Sequence, residues 1–425
     1  MKVRLWLLLS VLAGGTACLY MFRVLGPWEH YIDVERGKLK AQMGDLYPRW
    51  VGTRELLLRG RNPYGTEVSH EIQMAFYGRT IDQRYGQPGV GIIDEQRFVY
   101  PVYVVFLLAP TISMDFSHLQ VWAPVVFAML TAFSVLLWLE VLRWRPPKAL
   151  IVAIVLFVLS SPQIVQGLRL RQLALVVCFL LALSAWCITR NHLAIAGILL
   201  AVSTVKPQMA VLPLAWFLLW GVGAWPRRWP LLGGFGVTLA TLVGMGEILL
   251  PGWPRLFVDS LVAYRQYFPT TSLLCFALGN WVGGAVSAII IIGMLALAWR
   301  NRNAEGASPA FTNTLAAFLI GATVVLPLFS PFNQILLLLP ALMIVRDWAA
   351  LPRVGRRILA LAVAWPWITS VLLLLLHPSL NSLNRVPLLP SAVVLFFPFI
   401  LLLLSATRLT QSTGQPPQAP ESLLQ

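Results

Sequence analysis

The sequence predicts an all-α, polytopic membrane protein, and three observations carry that reading. Of 425 residues, 58% are hydrophobic and only 12% charged, with a mean hydropathy of +0.74. Apolar runs of about 20 residues recur from end to end, long enough at 1.5 Å per residue to cross a bilayer. The cations collect in the short segments between those runs: Lys2 and Arg4; Arg143, Arg145 and Lys148; Arg227 and Arg228; Arg300 and Arg302; Arg353, Arg356 and Arg357. That placement follows the positive-inside rule. It explains the net charge of +15 without nucleic acid, which is not an expected partner. Lipid takes the place of a shared apolar core, so residues 1–408 are expected to form one transmembrane domain.

The elements follow in chain order. "MKVRLWLLLSVLAGGTACLY" has a basic start and an apolar run that continues to Leu25 with no small-residue cleavage site, and reads as an anchor spanning 3–25 with the N-terminus inside. Cys18 has Gly15 three positions earlier rather than the leucine of a lipidation signal, and Cys178, Cys187 and Cys275 lack metal-ligand spacing. No metal and no cofactor are expected. Residues 26–98 hold ten Lys/Arg and ten of the seventeen acids, a neutral segment suited to translocation as a long first extracytoplasmic loop. Within it, residues 46–60 place Leu46, Trp50 and Leu57 on one helical stripe, the pattern of an amphipathic helix at the membrane interface. Gly60 and Pro63 mark its end.

"VYPVYVVFLLAPTISM", 99–114, is apolar but short. As a full span it would place "RWRPPK" outside against the charge rule, so it reads as short or re-entrant, with a thirteen-span chain as the alternative. Further spans are expected near 119–142, 148–163, 170–189, 192–205, 207–223, 229–250, 276–299, 310–328, 332–346, 357–376 and 387–407. That makes about twelve crossings (11–13), followed by a polar Gln/Pro-rich tail at 409–425 expected to be disordered and cytoplasmic.

On this topology the polar interruptions of the apolar runs gather on the outer side. They are Asp45, "GLRLRQ" (167–172) with Arg169, Arg171 and Gln172, "STVKPQ" (203–208) with Lys206 and Gln208, and "FSPFNQ" (329–334) with Ser330, Asn333 and Gln334; Arg255, Arg265, His377 and Arg385 join them. Each has a plain reading beside a chemical one. Asp45 precedes a helix, where Asp is a common N-cap; it is equally placed to take a proton from a hydroxyl acceptor. Lys206 stands at a Pro-enforced break between two apolar runs, where it either snorkels to the interface or offers an ammonium to a lipid phosphate. Arg169 and Arg171 either anchor the next span or add to that cationic face. Ser330-Pro331 reads as a helix start, and His377 as an interfacial loop residue. Gly279 and Gly283 form a GxxxG, a close-packing motif. The acid pairs Asp33/Glu35 and Asp94/Glu95 are rival bases in the same outer segment. There is no GxGxxG after a strand, no GxxxxGK[ST] and no HExxH, so a donor for any transfer reaction would be embedded in lipid.

"GDLYPRW...LLLRGRNPY" (44–64), "VYPVYVVFLLAP" (99–110), "GLRLRQLALVV" (167–177), "STVKPQMAVLPL" (203–214) and "LFSPFNQILLLLPAL" (328–342) resemble the bacterial integral-membrane glycosyltransferases of family GT87, in the GT-C superfamily. The resemblance runs in order over residues 1–345. It implies a GT-C-like bundle in the bacterial cytoplasmic membrane, a polyprenyl-phosphate sugar as donor, typically mannose, and a glycolipid or glycan hydroxyl as acceptor at the extracytoplasmic face. It further implies inversion at the anomeric carbon with Asp45 as base. Lys206 and Gln208 match its KPQ turn, Gln172 its GQ position, and Arg61, Asn62 and Tyr64 its RGRNPY stretch. Those residues, with Arg169 and Arg171, are the expected donor-phosphate and substrate contacts. Arg171 stands where the family commonly has Gly, and YPVY replaces a more usual YPP. A lipid-linked-sugar transporter or flippase is the alternative function, using the same basic cavity without a base.

Overall fold

Helix is the only regular structure among the described residues. The computed structural model describes residues 43–81, 95–267, 271–327 and 330–348, with scattered residues between 8 and 23 and between 351 and 360. Most of the first expected span, the acids Asp33, Glu35 and Asp94, the spans at 357–376 and 387–407, His377, Arg385 and the tail lie outside them.

The outer segment begins with α1 (Leu46–Arg59) and α2 (Thr66–Tyr77). A five-residue α3 (Val104–Leu108) follows, continued by a 3-10 turn at Ala109–Thr111. The remaining helices are α4 (Phe116–Val141), α5 (Lys148–Leu159), α6 (Pro162–Arg169), α7 (Ala174–Thr189), α8 (Leu193–Ser203), α9 (Pro207–Gly223) and α10 (Trp229–Leu249). They continue with α11 (Trp253–Tyr267), α12 (Leu273–Leu278), α13 (Asn280–Asn301) and α14 (Pro309–Val325). Last among the described residues is a 3-10 run, Pro331–Leu337, that leads into α15 (Leu338–Arg346). Proline opens α6, α9, α14 and the last 3-10 run, where its missing N–H leaves no intrahelical bond unmade.

Three of these helices, α4, α10 and α13, are long and apolar enough to cross a membrane, and the α5/α6 pair, bent by 62°, meets the same length and composition only when taken together. Most of the other apolar helices are a few residues shorter than the runs that contain them, where Gly, Pro or polar residues cut the run, while α9 fills its expected span of 207–223. The described residues thus form an all-helical fold that combines long and short apolar helices. The 99–114 segment is helical only over Val104–Thr111.

Contacts at the helix ends sort the bundle into two poles. At one, Arg190 after α7 pairs with Glu140 on α4 (3.2 Å), Arg346 at the end of α15 donates to the Leu142 carbonyl (3.1 Å), and Arg228 before α10 donates to the Arg302 carbonyl (2.7 Å). At the other lie the α6–α7 turn, the α8–α9 break and the start of the last 3-10 run, joined by side-chain bonds described below. The 16 residues of α7 separate the poles by about 24 Å. Helix α11 caps the second pole: Trp253 meets the Tyr103 ring edge-on at 5.5 Å and Ser260 donates to the Phe98 carbonyl (3.1 Å).

Helix α1 occupies its expected bounds. Leu46 and Trp50 are buried against protein, with Trp50 Nε1 donating to the Thr111 carbonyl (3.1 Å) and Phe116 packed on both Tyr47 (4.8 Å) and Trp50 (5.3 Å). The apolar stripe packs against the 3-10 turn at Ala109–Thr111 and the start of α4.

Helices α8 and α10 cross backbone to backbone. A Cβ on Gly197 would come within 2.1 Å of the Leu231 carbonyl oxygen and 2.6 Å of the Phe235 nitrogen, and one on Gly234 within 2.4 Å of the Ala194 oxygen. Small residues permit this approach, and van der Waals contact is what holds such a crossing in lipid. Gly197→Ala is expected to destabilise by about 1–3 kcal/mol through overpacking, read as a lower thermal midpoint in detergent; an unchanged midpoint would place the helices further apart. Gly283 plays the same part between α12 and α13, where a Cβ would meet the Leu274 oxygen at 2.5 Å.

Helices α4, α6 and α7 all end in the same way. For α4, the Trp144 N–H bonds to the Leu139 carbonyl (2.9 Å) and the Arg143 N–H to Glu140 (3.0 Å); the corresponding pairs are Gln172–Gly167 and Arg171–Leu168 for α6, and His192–Cys187 and Asn191–Ile188 for α7. This is the Schellman pattern, whose left-handed position favours glycine. Here it holds Arg143 (φ +50°), Arg171 (+53°) and Asn191 (+61°). Arg143 makes no side-chain hydrogen bond or ion pair among the described residues. Arg143→Gly is therefore expected to stabilise by about 1 kcal/mol, seen as a raised thermal midpoint.

Candidate functional site

The site is built where three chain breaks meet. Gly44 adopts φ +66° and sits so close to the α6–α7 turn that a Cβ would meet the Leu170 carbonyl oxygen at 2.9 Å. The next residue uses that proximity: the Asp45 N–H donates to Leu170 O at 2.9 Å. Asp45 itself is helical (φ −71°, ψ −13°) and its side chain makes no capping bond, which corrects the plain N-cap reading. Its carboxylate instead accepts a hydrogen bond from Gln172 Nε2. The Schellman turn of α6 places Gln172 there, two residues past the Leu170 carbonyl.

From Gln172 the chain of bonds continues. Lys206 Nζ donates to Gln172 Oε1 and to Asn333 Oδ1, each at 3.1 Å, and lies 4.9 Å from the centre of the Phe332 ring. A carboxylate only accepts and an ammonium only donates, so the Gln172 amide has one workable orientation, nitrogen toward Asp45 and oxygen toward Lys206. Four residues separated by up to 288 positions in the chain, Asp45, Gln172, Lys206 and Asn333, thus form one continuous acid–amide–ammonium–amide line. Lys206 is only 4% exposed, and a buried ammonium persists only with partners of this kind. Two of its three N–H groups are used by Gln172 and Asn333. Asp45 is partly exposed, so the acid end of the line is open and the ammonium end enclosed.

The surrounding groups fix this line. Tyr103, just before α3, shares a hydrogen bond with Thr204 Oγ1 (3.0 Å) just before Lys206. Arg49, one helical turn beyond Asp45, donates to the Asp45 carbonyl (2.7 Å) and lies 4.7 Å from the centre of the Tyr100 ring. It brings a second cation to the acid's backbone. Asn333 and Arg49 are the two residues that the sequence reading did not assign to the site. The signal for Asn333 was present, since "SPFNQ" breaks an apolar run with proline and amides just as "KPQ" does.

Other expected contacts are placed elsewhere. Gln208 is exposed on the first turn of α9 and has no hydrogen-bond partner among the described residues, because helix geometry turns it away from its neighbour Lys206. Arg61 bonds with Glu55 (2.8 Å) and Glu71 (2.7 Å), which hold its guanidinium pKa above the usual arginine range, Glu71 most strongly; Glu67 lies 3.4 Å away. Asn62 Oδ1 accepts from the Tyr64 N–H (2.9 Å), and the Tyr64 hydroxyl donates to the Tyr100 carbonyl (2.6 Å). RGRNPY therefore closes the α1–α2 turn and ties it to the stretch before α3 instead of joining the line. Arg171 donates from Nε to the Gln120 carbonyl (3.0 Å) and from Nη1 to the Arg169 carbonyl (3.1 Å), bracing the turn that presents Gln172. Arg255, 91% exposed at its side chain, lies 3.9 Å from Asp259. Of the rival bases, Glu95 is buried and paired with Arg97. Among the described residues no three His, Cys, Asp or Glu side chains are grouped to hold a metal ion.

No protein-family model matches the chain. Neither a curated protein nor a solved structure matches it.

Proposed function

We propose that the protein is an inverting glycosyltransferase of the bacterial cytoplasmic membrane, built on a GT-C-like bundle of about twelve spans. It moves a hexose, mannose by motif resemblance, from a polyprenyl-phosphate donor to a hydroxyl of a glycolipid or glycan at the extracytoplasmic face. The observation that carries this reading is the line from Asp45 through Gln172 to Lys206 and Asn333, with a proton acceptor at its open end and a cation at its enclosed end. The line stands at the pole opposite the Arg143, Arg190, Arg228 and Arg346 end. By the positive-inside rule that basic end is cytoplasmic, so the line faces outward.

The chemistry needs both ends at once. As the acceptor oxygen attacks the anomeric carbon, its proton passes to the Asp45 carboxylate and the bond from that carbon to the phosphate oxygen breaks on the opposite face. The electron pair leaves on polyprenyl phosphate, whose growing charge the Lys206 ammonium stabilises through its remaining N–H. Gln172 sets the spacing between base and cation and transmits no proton. The lipid tail stays in the bilayer throughout, which suits a chain without a nucleotide-binding motif.

The decisive assay mixes the purified full-length protein with a polyprenyl-phosphate hexose and hydroxyl acceptors. Release of polyprenyl phosphate, with the product sugar in the inverted configuration, is expected. Movement of the intact donor across a vesicle wall without release would replace transfer by transport.

A further inference from the structure

The basic pole contains a cavity of about 480 Å³ lined by Glu140, Arg143, Arg145, Thr189 and Arg190. It lies between the ends of α4 and α7, a helix length from Asp45. Three guanidinium groups surround one carboxylate, and only Arg190 is paired with it, at 3.2 Å. Arg143 and Arg145 make no side-chain hydrogen bond or ion pair among the described residues. The Thr189 hydroxyl donates to the Trp186 carbonyl (2.7 Å), so the arginines are the donors left for a guest. Arg143, moreover, occupies a left-handed turn position that glycine fills more easily, so a cation is held there against the backbone's own preference.

A second observation identifies the guest. Counting back from Glu140 by helical turns, Leu136, Phe133 and Met129 fall on one stripe of α4. They are 39%, 54% and 49% exposed. An apolar track of about 16 Å thus runs from the arginines along the membrane-facing side of α4. A phosphate with a hydrocarbon chain fits both parts, and a soluble phosphate uses only the first.

We propose that this cavity binds the headgroup of an anionic phospholipid of the cytoplasmic leaflet, with Arg143 and Arg145 on the phosphate and an acyl chain along Leu136, Phe133 and Met129. Arginine matches phosphate oxygens bidentately, and basic recesses between helices on this side of a membrane favour such lipids. The site is separate from the transfer reading and stands without it.

The test titrates the full-length protein in detergent with phosphatidylglycerol, phosphatidylcholine and inorganic phosphate, reading bound lipid by native mass spectrometry and phosphate by calorimetry. Wild type is expected to prefer phosphatidylglycerol over phosphatidylcholine, and the double variant R143G/R145Q to bind phosphatidylglycerol about tenfold more weakly. Glycine at position 143 suits the turn, so this loss would not come from unfolding; the thermal midpoint checks that. Unchanged phosphatidylglycerol affinity in the variant, or equal binding of the two lipids, overturns the site. Inorganic phosphate bound as tightly as phosphatidylglycerol overturns the lipid assignment.

Discussion

Asp45→Asn is expected to lower the rate of glycosyl transfer by about 10³-fold, within the range that a positioned general base contributes. The substitution is nearly isosteric, and its side-chain oxygen still accepts from Gln172 Nε2, so the line to Lys206 stays in place. What is lost is the capacity to take a proton. The loss should therefore fall on kcat, with donor affinity changed by no more than a few-fold. Radiolabelled donor supplies both numbers: product formed per unit time, and donor retained on the protein without acceptor. A variant that keeps more than a tenth of the wild-type rate removes Asp45 as base. Asn substitutions at Asp33 and Asp94 and Gln substitutions at Glu35 and Glu95 then become the next measurement.

Lys206→Met carries the second-largest effect, a fall of roughly 10²–10³-fold, the scale on which single charge-stabilising groups act in transition states. Methionine keeps the apolar stem and removes the ammonium. It also leaves the Gln172 and Asn333 carbonyl oxygens without their donor, at about 1–3 kcal/mol for a buried acceptor. A thermal midpoint must therefore accompany the kinetics, and Lys206→Arg, which keeps the charge, should recover part of the rate. The diagnostic result concerns the leaving group. With a donor whose phosphate leaves more readily, the Lys206→Met deficit should shrink while the Asp45→Asn deficit stays. Equal deficits for both donors would separate Lys206 from the departing phosphate and leave it a purely structural cation.

The breaks in the chain were legible because proline and glycine state them. The limits of α1 and the Lys206-Pro207 break fall where the sequence puts them, whereas the helix at Pro162–Arg169 occupies a stretch expected to separate two spans. That the basic segments gather at one end of the bundle was legible because cations are costly inside lipid. Side-chain partners were not. Asp45 before a helix looks identical whether it caps its own backbone or reaches Gln172, since the deciding contact lies 127 positions away. Arg61 reads as a free cation until Glu55, Glu67 and Glu71 are folded around it. Span ends were legible to within a few residues for α4, α9 and α10; where an apolar run outlasts its helix, a hydropathy window averages across a one-residue break, whereas a backbone hydrogen-bond ladder does not. Helix α8 shows this best: 11 helical residues inside a longer apolar run.

That short helix has a consequence for the lipid around it. Eleven residues rise only about 16 Å, roughly half the hydrocarbon thickness of an ordinary bilayer. On the outward-facing reading proposed above, the turn that α8 supports is expected to lie below the outer headgroup plane, as the floor of a notch whose depth depends on how thick the host membrane is. Reconstitution into bilayers of increasing acyl length should bury the notch further from its water-borne reactants and slow turnover, while thinner bilayers bring it toward the surface. Membrane thickness is then expected to act as a rate-setting variable, through a single truncated helix.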